Sequence, residues 1–120
     1  MIELTKAREI AEDWISAWNE RDLEKILCHY TDELEFVSPL VVSRLGREDG
    51  TIRTKRELRD YFSQGIGPGS ELHFELIDVL AGVSSITLYY GNHRKQMVAE
   101  TMFLSDEGMV TRVFVHHRTD

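Results

Sequence analysis

Apolar residues near the start of the chain recur every three or four positions. This spacing is typical of an amphipathic helix that buries one face. The residues that carry it are Leu4, Ala7, Ala11, Trp14 and Trp18. We therefore predict a first helix that stops at the polar residues 19–21.

A second, shorter helix is predicted directly after this polar break. Asp22 can cap it, because an aspartate side chain accepts a hydrogen bond from a free backbone N–H at a helix start. Its apolar positions are Leu23, Ile26, Leu27 and Tyr30. The two helices are expected to form a hairpin.

The next segment favours a strand. Leu34, Phe36 and Val37 have high β-propensity, whereas Pro39 lacks a backbone N–H and should end the strand or turn it to the sheet edge. Residues 40–53 contain turn-forming residues and are predicted to form an irregular or hairpin-like excursion.

A third helix is predicted from a capping box, in which Thr54 precedes Glu57 by three residues. The expected buried face consists of Leu58, Tyr61 and Phe62. Downstream, four β-branched or aromatic runs are separated by turn signals, which predicts an antiparallel meander. These runs occupy residues 72–80, 85–93, 96–104 and 109–117. The fold class is α+β, in one domain that spans residues 1–120.

Composition narrows the classes of partner. The formal net charge is −7, so the average surface repels nucleic acids and anionic membranes, and neither is expected as a partner. No run of about 18 apolar residues and no secretion signal is present, and we expect a cytoplasmic protein. The single cysteine, Cys28, is predicted to be a buried and inert thiol on the second helix.

No motif for a metal or a cofactor is visible. The histidines lack ligand spacing, no cysteine pairs accompany them, and the glycines at residues 65–69 follow a helix instead of opening one. We expect no cofactor and no metal.

Glu100 is the first candidate for chemistry. It alternates with Val98 and Met102 along its strand, so its side chain is expected on an apolar face. Desolvation there would raise its pKa toward the range useful for general acid–base catalysis. The alternative is a structural ion pair with Arg112, Arg94 or a histidine.

Tyr90 and Asn92 are expected near Glu100, because an antiparallel meander pairs their strand with that of Glu100. Such a set would orient a small polar group within an apolar cavity. Tyr90 could equally be a core residue with a satisfied hydroxyl.

A basic segment runs from Arg44 to Arg59 in this acidic chain. Most of it is expected to be a solvated helix face with local ion pairs. Arg44 is the exception, because it interrupts the apolar excursion after Pro39, and we expect it to gather a carboxylate or phosphate near the mouth of a pocket.

The order of these patterns resembles the nuclear transport factor 2-like, or SnoaL-like, domain. Residues 14–39 (WISAWNERDLEKILCHYTDELEFVSP) are similar to the family's opening, residues 54–62 (TKRELRDYF) to the helix that follows, and residues 105–117 (SDEGMVTRVFVHH) to its final turn and last strand. The resemblance implies a cone-shaped α+β barrel, in which a curved mixed or antiparallel sheet wraps around three helices of the N-terminal half and a central pocket. It also implies a homodimer that forms through the sheet.

Alignment with the family's ketosteroid isomerases implies that known catalytic roles are mostly lost. The isomerase's helix-1 tyrosine falls on Trp14, its base aspartate on Ser38 and its oxyanion-hole aspartate on Glu100. The positions of a cyclase's histidine and aspartate fall on Val113 and Val115. Neither activity is therefore expected in its usual form.

The same resemblance implies which side chains line the pocket. Trp14 and Trp18 either pack in the core or form an aromatic wall suited to a flat or apolar ligand. His117 is expected on the pocket side and is either a second catalytic group or a rim histidine. The remaining expected ligand contacts are Tyr90, Asn92, Arg44, Met102, Val113 and Val115.

Two functions remain open from the sequence. The first is binding of an unidentified small molecule, with acid–base chemistry of an isomerase, cyclase or dehydratase type at Glu100 and His117. The second is a protein-interaction or accessory module that dimerises through apolar residues opposite Glu100. Those residues include Tyr89, Phe103 and Phe114.

Overall fold

A six-stranded mixed sheet with helices from the N-terminal half makes up residues 1–118, which are the residues that the computed structural model describes. The helices are α1 (Leu4–Asn19), α2 (Leu23–Leu27), α3 (Pro39–Leu45) and α4 (Lys55–Ser63). The strands are β1 (Tyr30–Val37), β2 (Thr51–Thr54), β3 (Glu75–Ala81), β4 (Ser85–Gly91), β5 (Met97–Leu104) and β6 (Val110–His117).

The strand order in the sheet is β2-β1-β6-β5-β4-β3. Strands β3 to β6 pair antiparallel in sequence order, so the predicted meander is confirmed. Strand β1 runs parallel to β6, which makes the sheet mixed. A parallel pair needs a long crossover, and here the chain between β1 and β6 supplies α3, β2, α4 and the meander.

Helix α1 lies against β3 and buries the face predicted from its apolar spacing. A backbone hydrogen bond from Ile2 to the carbonyl of Gly82, 3.0 Å long, ties its start to the sheet. The Asp22 side chain accepts from the backbone N–H of Lys25 at 3.2 Å, so the predicted cap of α2 is confirmed.

The predicted buried thiol is wrong. Helix α2 ends at Leu27, and Tyr30 begins β1 instead of continuing the helix. Cys28 therefore lies in the turn between them, where it is exposed, and its Sγ contacts the carbonyl oxygen of Lys25 at 2.9 Å. The helical spacing had placed Cys28 and Tyr30 on one element, whereas the early end of the helix separates them.

Residues 40–53, predicted to form an irregular or hairpin-like excursion, are not irregular: they contain most of α3 and most of β2, and β2 pairs antiparallel with β1. Pro39 occupies the first turn of α3, where a missing N–H costs nothing, and Ser38 caps the helix by accepting from Leu40 N at 3.3 Å. Gly46 ends the helix in a left-handed conformation. The serine before the proline and the glycine after the apolar run were the available signals.

Gly50 holds α3 close to the sheet. Its φ is +62°, and a Cβ there would lie 2.9 Å from the carbonyl oxygen of Ser38 and 3.0 Å from a Val42 methyl. Its carbonyl accepts from Ser38 N at 2.9 Å. Only glycine combines this φ with so close an approach, and the contact fixes Ser38 at the end of β1.

Helix α4 agrees with its predicted capping signal. The Thr54 side chain accepts from Glu57 N at 3.2 Å, and Leu58, Tyr61 and Phe62 are buried. Within residues 1–118, every helix is too short or too polar to cross a membrane.

Candidate functional site

A partly open cavity of about 430 Å³ lies between the helices and one end of the sheet. Side chains from α1, α3, α4 and strands β1, β4, β5 and β6 line it, together with the loop that follows α4. Most of the predicted ligand contacts do line it. These residues are Trp14, Trp18, Arg44, Tyr90, Asn92, Val115, Glu100 and His117.

The walls of the cavity are aromatic rings that contact one another. Trp14 stacks on Phe74 with 5.8 Å between ring centroids and 13° between planes, and Phe74 lies 4.8 Å from Tyr90. Trp18 contacts Phe62 edge-on at 4.8 Å. The two tryptophans thus serve both the core and the wall, because each is buried and lines the cavity. Such walls suit a flat, largely apolar molecule.

Glu100 is buried in the middle of this apolar surface. Its side chain is 3% exposed, and the Tyr90 hydroxyl donates a hydrogen bond of 2.7 Å to Oε1. The second oxygen, Oε2, has no hydrogen-bond partner within residues 1–118. Burial raises the pKa of Glu100 to about 7, although the hydrogen bond from Tyr90 acts in the opposite direction. The group can therefore hold or release a proton near neutral pH.

The alternative of an ion pair does not apply to Glu100 in the part of the chain that the structure describes. Arg112 lies on the other face of the sheet, where it pairs with Glu35 and covers the rings of Phe103 and Phe114. Arg94 lines the cavity without forming a salt bridge to Glu100. Within these residues, the Glu100 carboxyl is therefore stabilised by a single hydrogen bond from a neutral hydroxyl. One such bond does not offset the desolvation cost of a buried carboxylate.

A second buried hydrogen bond lies beside the cavity and involves Trp14 of its wall. The indole N–H of Trp14 donates to the hydroxyl of Tyr30 at 2.9 Å. Burial raises the pKa of Tyr30, and it raises that of Tyr90 well above its usual value, with the charge of Glu100 acting in the same direction. Both phenols thus stay neutral. Tyr30 was missed as a member of this network because its spacing placed it on α2.

Trp18 adds an unused donor to the cavity. Its indole Nε1 is buried and has no hydrogen-bond partner among residues 1–118. Trp18 and Glu100 both line the cavity, and each has one buried polar atom without a hydrogen-bond partner within residues 1–118. Buried polar atoms in folded proteins nearly always have a partner, either protein or ordered water, so this is a region where water or another polar group can be bound.

Polar groups at another part of the wall come from three elements: Arg44 of α3, Tyr61 of α4 and His117 of β6. Partial burial lowers the pKa of His117, and the charge of Arg44 lowers it further. Burial raises the pKa of Tyr61, against a smaller lowering by Arg44. Arg44 therefore lies beside Tyr61, and its charge also acts on His117.

Asn92 lines the cavity, but its side-chain amide is already hydrogen-bonded within the turn at residues 92–96. Its Oδ1 accepts from the backbone N–H groups of Arg94 and Gln96 at 2.9 and 3.0 Å, and its Nδ2 donates to the Gln96 side chain. His116 faces away from the cavity and contacts the carbonyl oxygen of Ala99 at 3.3 Å. The opposite orientations of His116 and His117 follow from strand alternation.

Met102 and Val113, which were predicted to contact a ligand, do not line the cavity. Both are fully buried, and they pair with each other across β5 and β6. The inward parity predicted from the sequence is right, since both face the core with Glu100 and Val115. The cavity, however, occupies only the end of the sheet near Val98, and the core is closed at the level of Met102.

Several lining residues were not identified from the sequence. They come mostly from α3, α4 and the loop after α4, and they include Phe36, Ser38, Leu40, Tyr61, Phe62 and Phe74. Tyr61 and Phe62 were predicted only as core residues. The glycine-rich loop at residues 65–69 was interpreted only as the end of a helix, although it forms one wall of the cavity. Within residues 1–118, no group of three or more His, Cys, Asp or Glu side chains is placed to hold a metal ion.

Comparisons with known proteins give a consistent result. The sequence profile of the SnoaL-like domain matches residues 11–119. A SnoaL-like protein of unknown function from Burkholderia thailandensis superposes with a TM-score of 0.93 at 31% sequence identity, and the alignment covers 99% of this chain and 100% of that chain. A search among curated proteins found no match.

Two less similar structures share the fold. One is an epoxide hydrolase/cyclase-like enzyme of pyran ring formation in salinomycin, with a TM-score of 0.75, 18% identity and coverage of 99% of this chain and 95% of that chain. The other is a proposed ketosteroid isomerase from Kribbella flavida, with a TM-score of 0.71, 15% identity and coverage of 98% and 81%. At this identity the similarity extends to the fold alone.

Proposed function

Because the chain belongs to the SnoaL-like domain family, we propose that its cavity binds a small, flat and largely apolar molecule and that Glu100 exchanges a proton with it. The observation that carries this proposal is the buried carboxyl of Glu100, which lines the cavity, has no cationic partner within residues 1–118 and leaves Oε2 without a hydrogen bond. A purely structural carboxyl would be paired.

The chemistry available to Glu100 is transfer of one proton. A group whose pKa is about 7 can act as an acid or a base at neutral pH without a large energetic penalty. Isomerisation, ring closure and dehydration are reaction classes that such a group could assist. Tyr90 orients the carboxyl through its hydrogen bond, and the N–H of Trp18 is available to an oxygen of the bound molecule.

The sequence left open whether His117 is a second catalytic group or a rim histidine. Partial burial and the charge of Arg44 lower its pKa, which favours a neutral imidazole at neutral pH. We therefore propose His117 as a binding group, whereas Glu100 is the proton carrier.

Binding is tested with 2-naphthol and 2-methoxynaphthalene, which share a flat apolar body but differ in one O–H donor. At about pH 8 the ionised Glu100 accepts from the naphthol, and a charge-assisted hydrogen bond of about 1.4 kcal/mol gives roughly tenfold tighter binding of 2-naphthol. Glu100→Gln should remove most of this preference. Titration calorimetry measures the affinities, and NMR shifts of the two indole N–H groups report on the site.

The matched control is Glu71→Gln, which makes the same change at an exposed residue of the cavity lining. It should leave the preference for 2-naphthol intact. Absence of saturable binding by both compounds at millimolar concentration would contradict a small-molecule site. Equal affinities in the wild-type protein would instead contradict the role of Glu100.

A second candidate function is assembly through the outer face of the sheet, and the partial exposure of apolar side chains there favours it. Tyr89 is 37% exposed, and Phe103 and Phe114 are half-buried beneath Arg112. Aromatic residues and arginine are enriched at protein interfaces. We propose that two copies associate through this face.

Sedimentation equilibrium at micromolar concentration should therefore yield a dimer, and Tyr89→Glu should dissociate it by burying a charge at the interface. The control Glu75→Gln changes a residue of the outermost strand β3 and should remain dimeric. A wild-type protein that is monomeric throughout the micromolar range would rule out this assembly.

A further inference from the structure

We propose that the molecule bound in the cavity is a carboxylic acid and that Arg44 binds its carboxylate at the mouth, beside the hydroxyl of Tyr61; this inference rests on the proposed function and specifies its ligand. The apolar body of the molecule would lie against the aromatic walls, with its far end toward Glu100. The ligand class is thus a flat, bicyclic or similar-sized carboxylate.

Arg44 differs from three other arginines of its segment, which form ion pairs, and from Arg56, which is exposed and does not line the cavity. Arg47 pairs with Glu57, Arg53 with Asp49 and Arg59 with Glu24. Arg44 forms no salt bridge with a carboxylate in the part of the chain that the structure describes, although the protein has an excess of acids. It lines the cavity instead. The local pairing that satisfies the other three arginines therefore does not account for Arg44.

The surroundings of Arg44 are suited to an anion. Tyr61 is 7% exposed and lines the cavity, so its hydroxyl is a positioned donor close to the guanidinium. His117 lines the same cavity, and the charge of Arg44 acts on it. The N–H groups of a guanidinium match the two oxygens of a carboxylate in one plane, and a phenol can add a further hydrogen bond.

The position at the mouth also favours a carboxylate energetically. Arg44 is exposed, so a carboxylate bound there keeps part of its hydration and avoids most of the desolvation cost of a buried charge. Arg94 lines the same cavity and adds positive potential, whereas Glu71 is the exposed acid of the lining. The aromatic walls between the mouth and Glu100 would contact the apolar body.

The test compares 2-naphthoate with 2-naphthamide, which has nearly the same shape but no charge. Titration calorimetry at about pH 6 and low salt keeps 2-naphthoate ionised while Glu100 is mostly protonated, so repulsion by Glu100 is small. The wild-type protein should bind 2-naphthoate roughly tenfold more tightly than 2-naphthamide. Arg44→Gln should abolish this preference while leaving the affinity for 2-naphthamide within about twofold.

The matched control is Arg56→Gln, which removes the same charge from an exposed residue of α4 that does not line the cavity. It should retain the preference for 2-naphthoate. Arg44→Lys should show an intermediate preference, because lysine keeps the charge but lacks the planar pair of N–H donors. Thermal unfolding of each variant verifies that the fold is intact.

The outcomes separate the two proposals. Equal binding of both compounds by the wild-type protein would overturn the carboxylate and leave the small-molecule site standing. An equal loss of the preference for 2-naphthoate in Arg44→Gln and Arg56→Gln would overturn Arg44 as the binding residue, because the preference would then depend only on long-range charge. If neither compound binds, the small-molecule site fails and the inference fails with it.

Discussion

Glu100→Gln is expected to stabilise the protein at about pH 8 and to leave its stability nearly unchanged at about pH 4. The pKa of this carboxyl is about 7 in the folded protein and 4.5 in the unfolded chain, because burial disfavours the charged form. Protonation thus favours the folded state, and its contribution is complete below pH 4.5 and is lost as the pH rises through 7.

The size of this effect follows from the two pKa values. Their difference corresponds to a free energy of unfolding of about 3 kcal/mol, which the wild-type protein loses between mildly acidic and mildly alkaline pH and the glutamine variant does not. Glutamine has nearly the same shape, and its amide oxygen can still accept from Tyr90. Urea unfolding at a series of pH values measures the difference between the two proteins.

Comparison with the variant isolates Glu100 from the other acids. Glu20, Glu24, Asp49 and Glu57 have lowered pKa values because of hydrogen bonds to basic side chains, so they favour the folded state as the pH rises. Both proteins share these groups, and their contribution cancels in the difference. Glu71→Gln should show no comparable pH-dependent gain. A constant stability difference across this pH range would mean that Glu100 is not neutralised by burial.

Deuterium exchange at the α-carbon of 2-tetralone in D₂O is expected to be accelerated by the wild-type protein and to fall by about 100-fold or more in Glu100→Gln. The Glu100 carboxylate removes an α-proton, the electron pair of the broken C–H bond enters the enolate, and the acid that forms exchanges with solvent and returns a deuteron. We propose that the N–H of Trp18, which has no hydrogen-bond partner within residues 1–118, donates to the ketone oxygen. NMR integration of the α-protons measures the rate.

The pH dependence of this reaction should follow the same carboxyl. The rate should rise with pH and level off above about 7, where Glu100 is ionised. Glu71→Gln should exchange at the wild-type rate. Binding of 2-naphthol without acceleration of the exchange would make Glu100 a binding group and would overturn its role as a proton carrier.

The sequence predicted the parts of the fold that depend on local spacing. The helical period in α1, the caps at Asp22 and Thr54 and the four strands of the meander were all identified correctly, because each depends on residues close together in the chain. The predicted α+β fold and its SnoaL-like resemblance are confirmed by the match over residues 11–119. Helix α3 was missed because a seven-residue helix has too few turns to show a period.

Site residues were predictable where strand alternation decides which way a side chain points. Glu100 and Tyr90 were assigned to the inner face from strand alternation and strand pairing, and Val115 and His117 from the family resemblance; all four line the cavity. Alternation cannot show how far a cavity extends along a strand, so Met102 was included although the core is closed around it.

What the sequence by itself determined is the set of elements, their faces and the presence of an acid among apolar residues, because these follow from periodicities within each segment. What only the tertiary structure decided is which distant groups meet. The hydrogen bond from Tyr90 to Glu100, the lack of a cation beside Glu100 among residues 1–118 and the contact of Arg44 with Tyr61 depend on packing between elements far apart in the chain. Local patterns do not specify such distances, and the electrostatic environment of a buried carboxyl depends on all of them.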